Sequence, residues 1–304
     1  MDRQKVLAIV GPTGIGKTSL SVWLAKQLDG EIISCDSMQV YKKMDIGTAK
    51  VTQEEMQGIH HELIDVQNYN EPYNVKVFQE KCRTAIEDVV KRGKFPILCG
   101  GTGLYLKAAL YDYEFQEENE DIAYTTFLNS KTNEELVAML KEKDEKALKK
   151  IHPNNRKRLI RALQICHSGT SKSEQEDKQQ HIPLYDVYFL GLDVNREILH
   201  DRINKRVDIM FENGLVKEVE DLFTNPETWE YTSFQGIGYK EFKDYFLKEK
   251  SIDEVKTAIK THSRQYAKRQ YTWFKNQMPV HWFEAQNRDE IYSAVKEWLM
   301  DEDK

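Results

Sequence analysis

The chain has no paired cysteines that would read as a metal site or a disulfide scaffold. Its four, Cys35, Cys82, Cys99 and Cys166, show neither CxxC pairing nor zinc spacing. The first three fall in or beside apolar runs, which reads as buried free thiols in a reducing cytosol. No apolar run reaches the length of a membrane span, and Met1-Asp2-Arg3 leads straight into a strand pattern without a signal-peptide core. The expectation is a cytoplasmic protein with no membrane contact. Net positive charge is also missing: 304 residues carry 44 Lys and Arg against 50 Asp and Glu, a formal charge of −6. That argues against a generic polyanion binder, although a focused basic patch can override a global sum. Neither an internal repeat nor a coiled-coil period is present. With 31% charged and 40% hydrophobic residues, the composition fits a globular protein with a long-helix bias, large enough for one big domain or two.

What is present begins with Gly11-Pro12-Thr13-Gly14-Ile15-Gly16-Lys17-Thr18. An apolar run over 5–10 precedes it and reads as a buried strand; an apolar-periodic segment over 19–28 follows and reads as a helix. Gly, four residues, then Gly-Lys-Thr is the spacing of a phosphate-cradling loop, and strand before with helix after is the context it needs. The glycines let consecutive N–H groups turn inward, the helix N-terminus adds partial positive charge, Lys17 adds a full one, and Thr18 is placed to ligate Mg²⁺ on a diphosphate. A dinucleotide fingerprint fits worse, because the glycines do not run G-x-G-x-x-G. The chain therefore holds a polyphosphate.

Strand patterns recur over 31–35, 95–99 and 185–192, with helical patterns over 75–92 and 104–110 between them. The alternation predicts an α/β fold, a doubly wound parallel sheet of the P-loop kind. Ligands in such sheets sit outside the carboxyl ends of the strands. The phosphate loop, Asp36 and the Gly100-Gly101-Thr102-Gly103 loop all fall there. From about Tyr111 the character changes: an acidic patch (Glu114, Glu117, Glu118, Glu120, Asp121), a charged helical pattern over 133–150, and a polar loop over 168–181. We read a core over 1–112, a mostly helical insertion over 113–183, and a mostly helical second part of the core over 184–304, with helices over 196–223, 252–274 and 291–300.

Asp36 has three open readings: an Asx-turn or helix cap, a Mg²⁺ carboxylate, or a general base. The third strand ends Cys99-Gly100-Gly101-Thr102 without the carboxylate usual in ATP-hydrolysing P-loop proteins, which argues against a motor or GTPase. Arg202 and Arg206 share a helix face, either solvated or acting as a cationic clamp on departing phosphate. Two tracts are free of acid. Residues 146–161 carry seven Lys/Arg, and 256–275 place Lys256, Lys260, Arg264 and Lys268 at every fourth position. Their one-sidedness predicts a focused nucleic-acid surface. The opposite stripe, Val255, Ile259, His262, Tyr266 and Trp273, reads as core rather than a stacking platform.

The blocks GPTGIGKT, SCDSMQVYKKMDIGTAK, HHELIDV, GGTGLYLKAAL, HPNNRKRLIRAL, RINKRVDIM with GLVKEV, QGIGYKEF and AKRQYTWF run in order from residue 11 to 274. Together they resemble the tRNA dimethylallyltransferase (tRNA isopentenyltransferase) family. The resemblance implies transfer of a dimethylallyl group from dimethylallyl diphosphate to the exocyclic amine of the adenosine just 3′ of the anticodon, on a P-loop core whose helical insertion grips the anticodon stem-loop. It implies that Gly11, Pro12, Thr13, Gly14, Ile15, Gly16, Lys17 and Thr18 hold the diphosphate, with Thr18 on Mg²⁺. Asp36 takes the proton from the amine, and Arg206, with Arg202 as second choice, neutralises the leaving diphosphate. Ser37, Met38, Gln39 and Thr102 meet the tRNA along with Asp36, as do Lys157, Arg158, Leu159, Ile160 and Arg161. The target base is expected to flip into a channel and meet the donor from the other end. No obligate protein partner is implied, and the absence of a zinc-finger extension after Lys304 suggests a bacterial-type member. Asn155 stands where the family more often has Asp. The alternative from another class is a P-loop nucleotide or small-molecule kinase, which has no obvious need for two basic tracts or for the insertion.

Overall fold

The computed structural model describes residues 3–115, 121–174 and 181–301. Glu117, Glu118 and Glu120 of the acidic patch, and 175–180 of the polar loop, lie outside the described residues. The chain divides into two compact units, one of Met1–Tyr111 with Pro183–Lys304 and one of Asp112–Ile182.

In the larger unit six strands among the described residues form one sheet, β1 (Lys5–Val10), β2 (Gly30–Ser34), β3 (His61–Glu62), β4 (Phe95–Gly100), β5 (Asp186–Asp193) and β6 (His281–Glu284), in the order β3-β2-β4-β1-β5-β6. Every pairing is parallel. A parallel sheet is buried on both faces, and β1 shows why its sequence is almost continuously apolar. Val6, Ala8 and Val10 pack on one face with α3 (Val75–Lys91), α4 (Gly103–Leu110), α9 (Arg196–Glu212), α10 (Leu215–Leu222) and α12 (Ile252–Gln277). Leu7 and Ile9 pack on the other with α1 (Lys17–Leu28) and α13 (Arg288–Met300). The remaining helices of this unit among the described residues are short: α2 (Gln53–Met56), α11 (Lys243–Phe246) and three 3-10 turns, Pro226–Glu230, Ser233–Gln235 and Lys240–Phe242.

Three departures from the sequence reading have local causes. The helix expected over 196–223 is two helices, because Gly214 takes φ 95 and restarts the chain as α10. The helix expected over 133–150 also breaks. Asp144, at φ −156, leaves α6 (Asn133–Lys143) and caps α7 (Glu145–Leu148) by accepting the Ala147 N–H. The edge strand β6 has no counterpart in the sequence reading, being four residues between helices with Trp282 and Phe283 half-buried.

The smaller unit packs α5 (Ile122–Asn129), α6, α7 and α8 (Arg156–His167) around Leu128, Leu136, Leu140, Leu159 and Leu163. In the larger unit the chain leaves and returns side by side: Tyr111 and Pro183 form an antiparallel bridge and Leu184 N–H donates to Leu110 C=O. Arg83 fixes this exit by donating to the carbonyls of Ala108, Ala109 and Tyr111.

Candidate active site

β2, β4 and β1 are neighbours in the sheet, so the loops leaving their carboxyl ends meet at one edge. Cys35 N–H donates to Cys99 C=O at 2.8 Å, extending the β2–β4 ladder by one residue and delivering Asp36 next to the Gly100 loop. The phosphate loop needs its glycines: Gly16 sits at φ 105 as the start of α1, and Gly14 at φ 82 lies where a Cβ would be 3.0 Å from Ile203. No side chain caps α1 and no acid lies in its first turn, leaving the N-terminal amides for a ligand.

Lys17 donates to the carbonyls of Gly11 (3.0 Å) and Pro12 (2.9 Å). Burial pulls its ammonium down to about 8, with Arg206 adding to the shift and the Cys99 and Asp36 charges opposing it. Arg202 donates to Ile15 C=O at 3.4 Å and Arg206 to the Thr13 hydroxyl at 3.3 Å. Arg206 is exposed as a residue, yet its guanidinium reaches into the cleft, where burial lowers its pKa while Glu55 and Asp36 raise it. Asp36 accepts the N–H groups of Met38 (2.8 Å) and Gln39 (3.3 Å) on Oδ1. The Asx-turn reading is therefore correct as geometry. It does not use up the carboxylate, since Oδ2 carries no hydrogen bond to any described residue.

Two cavities meet here. The larger, about 700 Å³, is lined by the phosphate loop with Lys17 and Thr18, and by Arg202 and Arg206. The smaller, about 410 Å³, is lined by Ser37, Met38, Tyr73, Tyr105 and Gly236. Asp36, Thr13, Arg206 and Tyr266 line both. Gln39 lines the larger; Gly11, Pro12 and Thr102 line neither. Ile15 is fully buried and offers only backbone to this site.

Gln270 is a residue the sequence reading missed. Buried on α12, it accepts the Thr13 N–H at 2.9 Å and donates to Gly101 C=O at 3.0 Å, tying the phosphate loop to the loop after β4. Its signal was available, since it lies one turn after Tyr266 on the inward stripe of α12. Tyr266 is not simply core: it lines both cavities, and burial, with Asp36 second, pushes its hydroxyl up to about 12 against opposing hydrogen bonds from Thr102 and Gln270.

The basic ridge of α12 also needs correcting. Its sequence holds no acid, but Asp208 of α9 reaches Lys256 at 2.6 Å and Lys260 at 2.7 Å, and Arg264 donates to Asn204. Its later cations, Lys268, Arg269 and Lys275, remain exposed without an acidic partner among the described residues, Lys275 lying over the Tyr271 ring. In the smaller unit, Lys157, Arg158 and Arg161 are exposed, Ile160 is half-buried, and Leu159 is fully buried in that unit's core. Leu159 packs; its side chain is no surface contact.

Fold and site together define an α/β protein of the phosphate-loop kind, with an acid and an arginine, Asp36 and Arg206, shared between the phosphate-loop cavity and a second one. A family profile described as IPP transferase matches residues 39–277, and the chain belongs to that family. It is 49% identical over 301 residues to a tRNA dimethylallyltransferase of Bacillus anthracis, covering 97% of this chain and 96% of that one. A crystal structure of the full-length tRNA isopentenylpyrophosphate transferase from Bacillus halodurans aligns at TM-score 0.75 and 41% identity, over 98% of this chain and 97% of that one. A eukaryotic dimethylallyltransferase acting on tRNA aligns at TM-score 0.81 and 32% identity, over 98% of this chain and 78% of that one. No helix among the described residues is long and apolar enough to cross a membrane.

Proposed function

We propose that this chain transfers a dimethylallyl group from dimethylallyl diphosphate to the exocyclic amine of the adenosine 3′-adjacent to the anticodon in tRNA, releasing diphosphate. The observation that carries the reading is the junction of two cavities at Asp36 and Arg206, one rich in phosphate-binding groups and the other walled by aromatic and aliphatic side chains. The diphosphate lies on the loop of Gly11 to Thr18, against the free amides of α1 and the Lys17 ammonium. The flipped adenine enters from the smaller cavity past Ser37 and Met38. As the amine nitrogen bonds to the allylic carbon, the carbon–oxygen bond to diphosphate breaks and its electron pair leaves on the diphosphate oxygen. The amine proton passes to Asp36 Oδ2. Arg206, with Arg202 behind it, meets the charge that develops on the leaving group.

Mg²⁺ fits the donors present: the Thr18 hydroxyl is exposed in the larger cavity without a hydrogen bond to any described residue, and hard oxygen ligands with several retained waters are what this ion takes. Bound there with the diphosphate, it would neutralise phosphate charge. Lys157, Arg158 and Arg161 would supply cations to the tRNA backbone. Four free thiols suit the cytosol as the compartment. The kinase alternative is not favoured, since the relatives above are transferases acting on tRNA by name and β4 ends without a metal-binding carboxylate.

The test offers the protein unmodified tRNA with radiolabelled dimethylallyl diphosphate and Mg²⁺, beside a reaction with γ-labelled ATP. Label entering tRNA from the prenyl donor, with ATP inert, is the expected result. Phosphoryl transfer without prenylation would overturn it.

A further inference from the structure

One side of both cavities is formed by residues 45–49, and one carboxylate gathers the first three amides of that segment. Glu218, half-buried on α10, accepts the N–H groups of Asp45 (2.8 Å) and Ile46 (2.7 Å) on Oε2. Its Oε1 accepts the Gly47 N–H (3.0 Å) and the Tyr239 hydroxyl (2.7 Å). Three successive amides converging on one anion form a concavity that selects negative charge, and each bond is charge-assisted. Tyr239 is fully buried; burial first, then the Glu218 charge, drives its hydroxyl well above its ordinary value, so it stays protonated and donates. Its ring lies so close to Gly47 that a Cβ there would stand 2.5 Å from the ring. From the other side Gln39 Nε2 donates to the carbonyls of Ala49 (3.1 Å) and Thr48 (3.4 Å), and the Thr48 hydroxyl turns back to Met44 C=O at 2.6 Å. Thr48 and Ala49 line both cavities and Gly47 lines the smaller one. Toward the smaller cavity the segment thus presents only the small residues Gly47, Thr48 and Ala49, while Asp45 and Ile46 line the larger one, and the position of the whole is set from behind.

We propose that Glu218 is a positioning residue that fixes the 45–49 wall at the width seating a five-carbon allylic group, and so excludes longer prenyl donors. This rests on the function proposed above. Glu218 touches no substrate in this scheme. Steric exclusion of an extra isoprene unit requires a wall that does not yield, because small apolar differences are discriminated only weakly by attraction alone. Anchoring four donors on one carboxylate makes the wall stiff, whereas a neutral amide at 218 would turn an N–H₂ toward some of those N–H groups and release it.

The experiment compares wild type, Glu218→Gln, Glu218→Asp and Tyr239→Phe, each with unmodified tRNA and either dimethylallyl or geranyl diphosphate, alongside thermal melts. Expected for Glu218→Gln is a kcat with dimethylallyl diphosphate about tenfold lower, an unchanged KM for tRNA, and a geranyl-to-dimethylallyl turnover ratio raised by about tenfold. Glu218→Asp should restore part of the ratio, and Tyr239→Phe should shift it the same way but less, since three amides stay bound. A folded Glu218→Gln with an unchanged ratio overturns the proposal, whether or not kcat falls, because a merely structural support slows both donors alike. If Glu218→Gln fails to fold, an unchanged ratio in Tyr239→Phe overturns it. A wild type that transfers neither donor overturns the function itself and this proposal with it; a wild type active with dimethylallyl diphosphate leaves the two separable.

Discussion

The core cleft and the outward face of α8 both concentrate positive charge, but they hold it differently. In the cleft each charged group is aimed: Lys17 by two carbonyls, Arg206 by the Thr13 hydroxyl, Asp36 by two amides on one oxygen. On α8, Lys157 and Arg158 are exposed and have no acidic partner among the described residues, while Leu159, Ala162 and Leu163 anchor the helix from beneath. A group that acts on one atom must be held within fractions of an ångström, so its neighbours are fixed too. A group that acts on a polyanion through counterion release need only be present at the surface. The α12 helix contains both styles, being paired at Lys256 and Lys260 and open at Lys268 and Arg269.

The contrast predicts that cleft substitutions reduce turnover while α8 substitutions change affinity and its salt dependence. The largest effect belongs to Asp36→Ala, expected to lower kcat by about 10² to 10⁴ while tRNA affinity is little changed. Equal losses in single-turnover rate and tRNA binding would break the contrast on its core side. Next comes Arg206→Ala, at about 10² to 10³ in kcat for removal of one stabiliser of leaving-group charge. Arg202→Ala should cost less, since Arg202 already donates to Ile15 C=O, and the ordering of the two variants in pre-steady-state assays checks this.

Lys17 gives a smaller effect with a defined sign. Its folded pKa is about 8, below the ordinary lysine value of 10.5, because burial penalises the charged form. Between those values the unfolded chain binds more protons than the folded one, so stability rises with pH across that window and the cost of the buried ammonium is fully present below pH 8. Binding of an anion runs the other way: as pH rises through about 8 the free enzyme loses the charge that meets diphosphate. The dissociation constant for inorganic diphosphate should therefore increase above pH 8 by up to about tenfold per pH unit, and titration calorimetry should show proton uptake on binding there. In Lys17→Ala that component of the pH dependence should vanish; its persistence would assign the titration to another group.

Much of the cleft was legible in the sequence because its groups lie within a few residues of strand ends, where chain order dictates position. The glycine loop and Asp36 could be placed from the strand–helix alternation alone. What was not legible depends on contacts distant in sequence. Gln270 reaches Thr13 from the far end of the chain, and Asp208 neutralises a ridge that looks bare when α12 is read by itself. Glu218 lies within the block GLVKEV, yet nothing in its local pattern distinguishes a carboxylate that gathers three backbone amides from one facing water. Helix breaks at Asp144 and Gly214 were signalled by capping and left-handed residues, but apolar periodicity ran through both and outweighed them. Leu159 differs in another way: it lies within the run 157–161 that the resemblance implies for tRNA, yet a helix turns every third or fourth side chain inward and its side chain is in the core.

The smallest effect is the one that tests the α8 side most sharply. Lys157→Ala and Arg158→Ala remove two exposed cations without touching the packing of Leu159, Ala162 and Leu163, so the melting temperature should hold. Each cation removed from a tRNA phosphate should lower the slope of log affinity against log salt by about 0.7 to 0.9, and the double variant by about twice that, with kcat at saturating tRNA preserved. Near physiological salt the single variants would bind tRNA only a few-fold more weakly, because screening leaves the contribution of one surface charge small there, and the loss would widen as salt is lowered. The slope is therefore a better discriminator than the affinity. If both variants kept the wild-type slope, α8 would leave the interface, and the open cations Lys268 and Arg269 of α12 would become the next pair to remove. If instead the slope fell together with kcat, the α8 charges would be aligning the target base as well as attracting the backbone, and the division between aimed and merely present charges would fail at that helix.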